Sequence, residues 1–283
     1  MPTRRALLAA AAASLAPRSA VAVAAAPARL ACLEWTTAEM LLSLGVAPMA
    51  VCDTKGYRDW VVAPELPAGT IDLGSRGEPN LELLQALQPE LILAVFDSGF
   101  ERSDFAPYAP LVDVPFHSAA PYEGAQEETR RLGERIGRAA EAAALIARTE
   151  AGIAAARARL RHDPAVPVCP FSFFDDRHLR IYGGGLLQDV LARLGLRNAW
   201  AGPVSDWGVA TVGLEQLAAI GEARLVCLEP IPPHARRLMA ESTLWAHLPA
   251  VRRGPMAVIP TVWPFGGLAA ASRFAGLLAE RLT

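Results

Sequence analysis

Two segments of this chain repeat one pattern, and the repetition restricts the folds open to it. Asn80-Leu81-Glu82-Leu83-Leu84-Gln85-Ala86-Leu87 leads through Pro89-Glu90 into Leu91-Ile92-Leu93, and Gly213-Leu214-Glu215-Gln216-Leu217-Ala218-Ala219-Ile220 leads into Arg224-Leu225-Val226-Cys227-Leu228. Leu81, Leu84 and Leu87 in the first match Leu214, Leu217 and Ile220 in the second, a spacing of three that lays them on one helix face. The apolar run that follows each suits a strand of a parallel sheet buried on both faces. Glu82 and Glu215 fall at the same place in both copies. The pattern predicts two similar α/β lobes, and paired lobes commonly bind a ligand between them.

The rest of the sequence is compatible with that size and class. Of 283 residues, the first 28 read as an export signal: basic Thr3-Arg4-Arg5, an apolar stretch from Ala6 to Leu15 too short to span a bilayer, then small-residue cleavage patterns ending at Ala26-Pro27-Ala28. Thr3-Arg4-Arg5-x-Leu7-Leu8 also fits the twin-arginine pattern, so a periplasmic, soluble mature protein is expected. Removing that segment takes away three arginines and no acid, which makes the mature chain more acidic than its formal −2. No basic stripe argues for nucleic acid. The four cysteines, Cys32, Cys52, Cys169 and Cys227, lie in apolar runs without metal-type or redox-type spacing. They read as buried thiols, with Cys32–Cys52 or Cys169–Cys227 bridges as the alternative.

Strand and helix signals alternate over residues 29–121, which form a first lobe, and again over 163–283, which form a second. In the first, Thr36 or Thr37 is placed to cap a helix that stops at Gly45. Between the lobes, 122–162 contains no proline after Tyr122, and Leu132, Ile136, Ala140, Ala143, Ala144 and Ala147 form one apolar face. The expectation is a single connecting helix of roughly 35 residues, ~50 Å long, stiffer than an extended hinge.

Catalytic patterns are absent: there is no Gly-x-Ser-x-Gly, no His-Glu-x-x-His and no P-loop. Gly183-Gly184-Gly185 before a helix reads as a turn rather than an anion cradle, Asp175-Asp176-Arg177-His178 as a solvated turn, and the five histidines are scattered. Aromatics cluster instead beside loop signals: Tyr57 and Trp60, Phe96 and Phe100 flanking Asp97-Ser98-Gly99, Trp207, and Trp263 with Phe265. Ligands of open α/β sheets lie beyond the strand ends, so four such clusters favour a cleft lining over simple core packing. Arg76, in the loop Gly74-Ser75-Arg76-Gly77-Glu78-Pro79, is the candidate polar anchor, its guanidinium forked to meet paired oxygens.

The motifs Leu33-Glu34-Trp35, Asp53-Thr54 with Tyr57-Arg58-x-Trp60-Val61, Ile71 to Leu84 including Arg76-x-Glu78-Pro79-Asn80-Leu81-Glu82, Asp176-Arg177-His178, Asn198-Ala199-Trp200, Trp207-Gly208 and Pro260-x-Val262-Trp263 cover nearly the whole mature chain. With them the chain resembles the periplasmic binding proteins for ferric hydroxamate siderophores of the ferrichrome type. The resemblance implies two α/β lobes joined by one long rigid helix, a ferric siderophore as ligand, no cofactor, an inner-membrane ABC permease as partner, and a monomer. It implies that Arg76 contacts hydroxamate oxygens around the iron and that Trp60, Trp207, Trp263, Phe265 and Leu186 or Leu187 line the cleft. Glu82 and Glu215, one per lobe, would dock the permease. The siderophore saturates its iron, so the protein need supply no metal ligand. Where the family carries a first-lobe tyrosine, this chain has Phe96 to Phe100, and Phe265 also stands in place of a tyrosine. Cobalamin, haem and carboxylate or mixed carboxylate–hydroxamate siderophores are alternatives on the same fold. An exported hydrolase, the rival enzyme reading, would need a nucleophile, base and orienter that the sequence does not bring together.

Overall fold

The computed structural model describes residues 29–95, 99, 101–115, 119–175 and 177–282. The signal-like segment 1–28, Phe96, Ser98, Phe100, His117 and Asp176 therefore lie outside the described residues. The first lobe contains β1 (Leu30–Cys32), α1 (Trp35–Ser43), β2 (Ala50–Val51), α2 (Thr54–Trp60), β3 (Ile71–Asp72), α3 (Leu81–Leu87), β4 (Leu91–Ala94), α4 (Arg102–Phe105) and β5 (Leu111–Asp113). Two helices follow, α5 (Pro121–Arg135) and α6 (Ala139–Arg159). The second lobe contains β6 (Val168–Phe173), β7 (His178–Tyr182), α7 (Gly185–Leu194), β8 (Val209–Gly213), a 3-10 helix (Leu214–Ile220), β9 (Arg224–Leu228), α8 (Pro233–Glu241), α9 (Thr243–His247), α10 (Pro249–Arg253), β10 (Ala257–Ile259) and α11 (Leu268–Arg281).

Each lobe is built on a five-stranded sheet, ordered β3-β2-β1-β4-β5 in the first and β10-β9-β6-β7-β8 in the second. The first is parallel throughout. In the second, β10, β9 and β6 are parallel and β7 runs against both its neighbours. Alternate residues of the central strands feed opposite faces: Leu30 and Cys32 pack into one core of the first lobe, Ala31 and Leu33 into the other. The four cysteines are free and buried. Burial pushes the thiols of Cys32, Cys169 and Cys227 up to about 12, which keeps them protonated and unreactive.

The repeated segment takes two different helical forms. Leu81–Leu87 is an α-helix whose Asn80 side chain accepts from the Leu83 N–H, whereas Leu214–Ile220 is a 3-10 helix begun at Gly213, which has no side chain to cap it. A 3-10 helix has three residues per turn, so Leu214, Leu217 and Ile220 stack in one row, and all three are buried. The first copy has Leu83 as a further apolar residue where the second has Gln216, which widens the stripe to suit the 3.6-residue period.

The connector departs from the single unbroken helix expected over 122–162. It is two helices, parted at Gly137, which adopts a left-handed φ of 71°. The Arg138 N–H donates to the Gly133 carbonyl, and a Cβ on Gly133 would lie 2.6 Å from that of Ala142, so the chain turns sharply and α6 packs on α5. Tyr122 of α5 belongs to the core of the second lobe, and Leu132 and Ile136 to that of the first. The 21-residue α6 then returns, with Ala142 in the first core and Ile146, Ile153 and Ala156 in the second. The lobes are thus joined by helical chain that crosses in both directions.

The lobes also meet at α1 and α11. Glu39 of α1 is fully buried, and its Oε1 accepts from the N–H groups of Gly267 and Ala270, both at 3.0 Å, at the start of α11. A first-lobe carboxylate thereby caps a second-lobe helix and meets the positive end of its dipole. Thr36, one turn earlier, is no cap for its own helix: its hydroxyl donates to the Phe265 carbonyl at 2.7 Å. Glu39 Oε2 has no hydrogen-bond partner among the described residues and rests against Gly266, where a Cβ would overlap it. Gly266→Ala should therefore destabilise the fold by about 1–3 kcal/mol, the usual cost of overpacking. Thermal unfolding would register it as a lowered Tm, and an unchanged Tm would refute the close packing. Burial raises the Glu39 carboxyl to about 7, against the opposing pull of the Ala270, Gly267 and Ala269 N–H groups. Its unfolded value is lower, so between about pH 4.5 and 7 the native chain holds a proton that the unfolded chain has lost. The stability from this group is full below that window and is lost as pH rises through it, by up to about 3 kcal/mol. Glu39→Gln should flatten this part of a stability-versus-pH curve from denaturant titrations.

Candidate functional site

The loop between β3 and α3 positions Arg76. Asp72 accepts from Gly74, Gly74 bridges to Pro79, and Asn80 caps α3, so the loop is tied at both ends. The Arg76 guanidinium lies 3.8 Å from the centroid of the Trp35 ring and 5.4 Å from that of Trp263. Its Nη1 donates to Glu34 Oε2 at 3.1 Å. Trp35 is itself anchored, its indole N–H shared between the carbonyls of Cys52 and Asp53 at 3.1 Å each.

From Trp35 a chain of edge-to-face rings crosses into the second lobe: Trp35 to Trp263 at 4.8 Å between centroids, Trp263 to Phe265 at 5.0 Å, and Phe265 to Trp207 at 5.6 Å. The Trp263 indole N–H also donates to Thr36 Oγ1 at 3.4 Å. Trp207, Trp263, Phe265 and Arg76 wall an open cleft of about 690 Å³, with Trp35 buried behind Arg76. The first lobe contributes Glu34, Thr36, Gly77 and Val95 to it, and the second contributes Arg180, Ser205, Val209 and Thr211. Apolar rings beside a few convergent charged groups are the usual make-up of a small-molecule site.

Of the residues singled out from sequence, Arg76, Trp207, Trp263 and Phe265 come together in this wall. Tyr57 does not. It is wholly buried in the first core, and its hydroxyl donates to the Pro64 carbonyl, because Asp53 caps α2 in an orientation that turns Tyr57 inward. Leu187 likewise packs in the core of the second lobe, where the amphipathic face of α7 points. Leu186 reaches a smaller chamber of about 200 Å³, which shares Thr36 and Ser205 with the cleft. Trp60, 41% exposed, stands on the surface of α2 away from the lining. Phe96, Ser98 and Phe100 fall outside the described residues, immediately after Val95 of the wall.

Glu34 and Arg180 were missed. Arg180 had a signal: on β7 it alternates with the buried Leu179 and Ile181, so period two turns it away from that core. Its guanidinium covers the Phe174 ring at 3.9 Å. Glu82 and Glu215 are both exposed, each in the first turn of its short helix. Gly184 donates to the Gly208 carbonyl, so the glycine run serves the packing of one loop on another. Asp175 closes the turn before β7 by accepting from the Arg177 and His178 N–H groups and the His178 ring, which hold its carboxyl down to about 2. No three His, Cys, Asp or Glu side chains gather as a metal site among the described residues.

Residues 30–262 match the family described as periplasmic binding protein. The iron(3+)-hydroxamate-binding protein FhuD of Escherichia coli is 32% identical over 256 residues, which is 89% of this chain and 86% of that protein. The Fe(3+) dicitrate-binding periplasmic protein FecB of Escherichia coli is 25% identical over 258 residues, 88% of this chain and 83% of that one. Among solved structures, the siderophore-binding protein FhuD from Vibrio cholerae with bound Fe3+–Desferal superposes with a TM-score of 0.82 at 28% identity, covering 90% of this chain and 97% of that one.

Proposed function

Because this chain belongs to the periplasmic binding protein family, we propose that it captures a ferric siderophore of the hydroxamate class and delivers it to an inner-membrane ABC permease. The observation that carries the reading is Arg76, a cation held on two indole faces at the mouth of an aromatic cleft between two lobes. A ferric hydroxamate presents a ring of oxygens around a metal whose coordination is already full. Forked guanidinium donors match such oxygens, and the rings match the ligand's carbon frame. Binding exchanges the Glu34 carboxylate for ligand oxygens on a guanidinium that is already in place. The protein acts as a carrier rather than an enzyme, with no cofactor of its own and the siderophore as cargo. Residues 1–28 are read as its export signal, residues 29–121 and 163–283 as the two lobes and 122–162 as their connection. No helix among the described residues is long and apolar enough to cross a membrane.

A carboxylate-bearing ferric chelate is the second reading, and Arg180 supports it. It adds a cation to the cleft from the second lobe, and Phe265 brings no hydroxyl there. Phe96, Ser98 and Phe100 remain candidates for the first-lobe rim, and Glu82 and Glu215 for the two contacts with a permease of two-fold symmetry.

Tryptophan fluorescence reports the cleft, since Trp207 and Trp263 line it and Trp35 packs against Trp263 and Arg76. Titration with ferrichrome, a linear ferric hydroxamate, ferric citrate and cobalamin should give saturable quenching by the hydroxamates. Arg76→Ala should weaken that binding roughly ten- to hundredfold, the effect of about 1.5–3 kcal/mol for a charge-assisted bond. Response to ferric citrate alone would transfer the reading to carboxylates, and response to none of the four would sink it. For the docking pair, Glu82→Ala with Glu215→Ala should leave the ligand Kd unchanged while iron uptake by cells dependent on this protein falls. Undiminished uptake would remove both glutamates from the permease contact.

A further inference from the structure

The second lobe carries another cavity, an open one of about 930 Å³, at the end of its sheet away from the cleft. Val166 and Arg224 line it where β6 and β9 begin, whereas Trp263 and Phe265 of the cleft follow the end of the parallel β10. Arg161, Arg224, Arg252, Arg253 and Arg281 converge there against two acids, Asp163 and Glu222. Part of that charge is already used. Glu222 lies 3.7 Å from Arg253, Asp163 accepts from the Ala165 N–H, and Arg161 donates to the last carbonyls behind α6. Arg224, Arg252 and Arg281 remain, and none of their guanidinium groups makes a hydrogen bond or ion pair among the described residues.

Helix ends explain only some of this excess. α10 and α11 both finish at the cavity, and each C-terminus supplies about half a negative charge, roughly one in all against three guanidiniums. His162 and His247 share the wall, each with one ring nitrogen donating to a backbone carbonyl (Val166 at 2.8 Å, Thr243 at 2.7 Å), so the guanidiniums are the groups left to meet an anion. Arg252 and Arg281 are exposed and Arg224 partly so, so water screens much of their mutual repulsion, and an anion between them would turn the remainder into attraction. Guanidinium forks match the oxygens of a tetrahedral phosphate, and two or three can share one multiply charged group.

We propose that this cavity binds a multiply charged phosphate-type oxyanion, at a site separate from the siderophore cleft. The same chemistry belongs to a free pyrophosphate and to the phosphorylated headgroup of an anionic lipid. Isothermal calorimetry with pyrophosphate at low ionic strength should show saturable binding at one site. Arg224→Ala combined with Arg252→Ala should weaken it by at least about tenfold, and Arg281→Gln, at an exposed position, should weaken it in the same direction if the double variant does not fold. Arg76→Ala should leave pyrophosphate binding unchanged, and the double variant should still quench with ferric hydroxamate as the unaltered protein does, so this site and the cleft are tested independently. Co-sedimentation with phosphatidylglycerol vesicles, absent with phosphatidylcholine and competed by pyrophosphate, would identify a headgroup as the source. Calorimetric binding without co-sedimentation would identify a free oxyanion. Lack of saturation, equal binding by the arginine variants, or loss of binding in Arg76→Ala would overturn the proposal.

Discussion

Glu39 leaves α1 in the first lobe and ends among the N–H groups that open α11 in the second, in a seam closed to solvent. A carboxylate in such a place is costly to desolvate and is kept only by donors already aimed at it. The first turn of α11 supplies them. That exchange fixes where α11 begins relative to α1, and the segment just before it, from Thr261 to Gly266, is then held between β10 and a pinned helix. Thr36 adds a second tie by bonding the Phe265 carbonyl. These contacts add to the loop's own bonds, Gly266 N–H to the Trp263 carbonyl and Thr261 to Glu229, in placing Trp263 and Phe265. The ring chain from Trp35 to Trp207 follows, and so does the indole pair on which Arg76 lies. The shape of the cleft thus depends in part on how one buried acid is satisfied.

Much of this architecture was legible because it is written in local periods. Leu81, Leu84 and Leu87 and their counterparts announce a helix face, the runs at Leu91 and Leu225 announce buried strands, and their recurrence announces two lobes. The break at Gly137 was also within reach, since a glycine followed by a new alanine-rich stretch can start a second helix; the apolar face continues across the break and conceals it. Tyr57 shows the opposite limit. An aromatic among Lys55, Arg58 and Asp59 reads alike whether it points into a core or a cleft, and its orientation depends on the Asp53 cap and on a carbonyl at Pro64.

Contacts between residues far apart in the chain were not legible. Glu39 meets residues 228 and 231 positions away, and Thr36 meets one 229 away. A lone acid inside the run Ala38-Glu39-Met40-Leu41 is a signal of sorts, for a helix buried on every side has to pair its charge with something. What it pairs with is fixed only when the lobes come together. Glu34 is similar: its position beside Trp35 is plain in the sequence, while its bond to Arg76 depends on a loop 42 residues on.

The way the lobes are joined bears on how a ligand is taken up. Opening the cleft widely would break the Glu39 cap, the Thr36 bonds and the ring chain together, and would bend helices that cross the junction in both directions. Each of those losses is a cost that the ligand's preference for a closed form would have to exceed. A change confined to Arg76 and Glu34 requires far less. Their pair is a single contact, with the Arg76 side chain a third exposed, whereas wide opening breaks many contacts at once. The guanidinium is held in place by two indoles, and little rotamer freedom is lost when ligand oxygens replace the carboxylate. A preformed cationic platform beside edge-to-face rings thus favours local exchange at the cleft over closure of one lobe on the other.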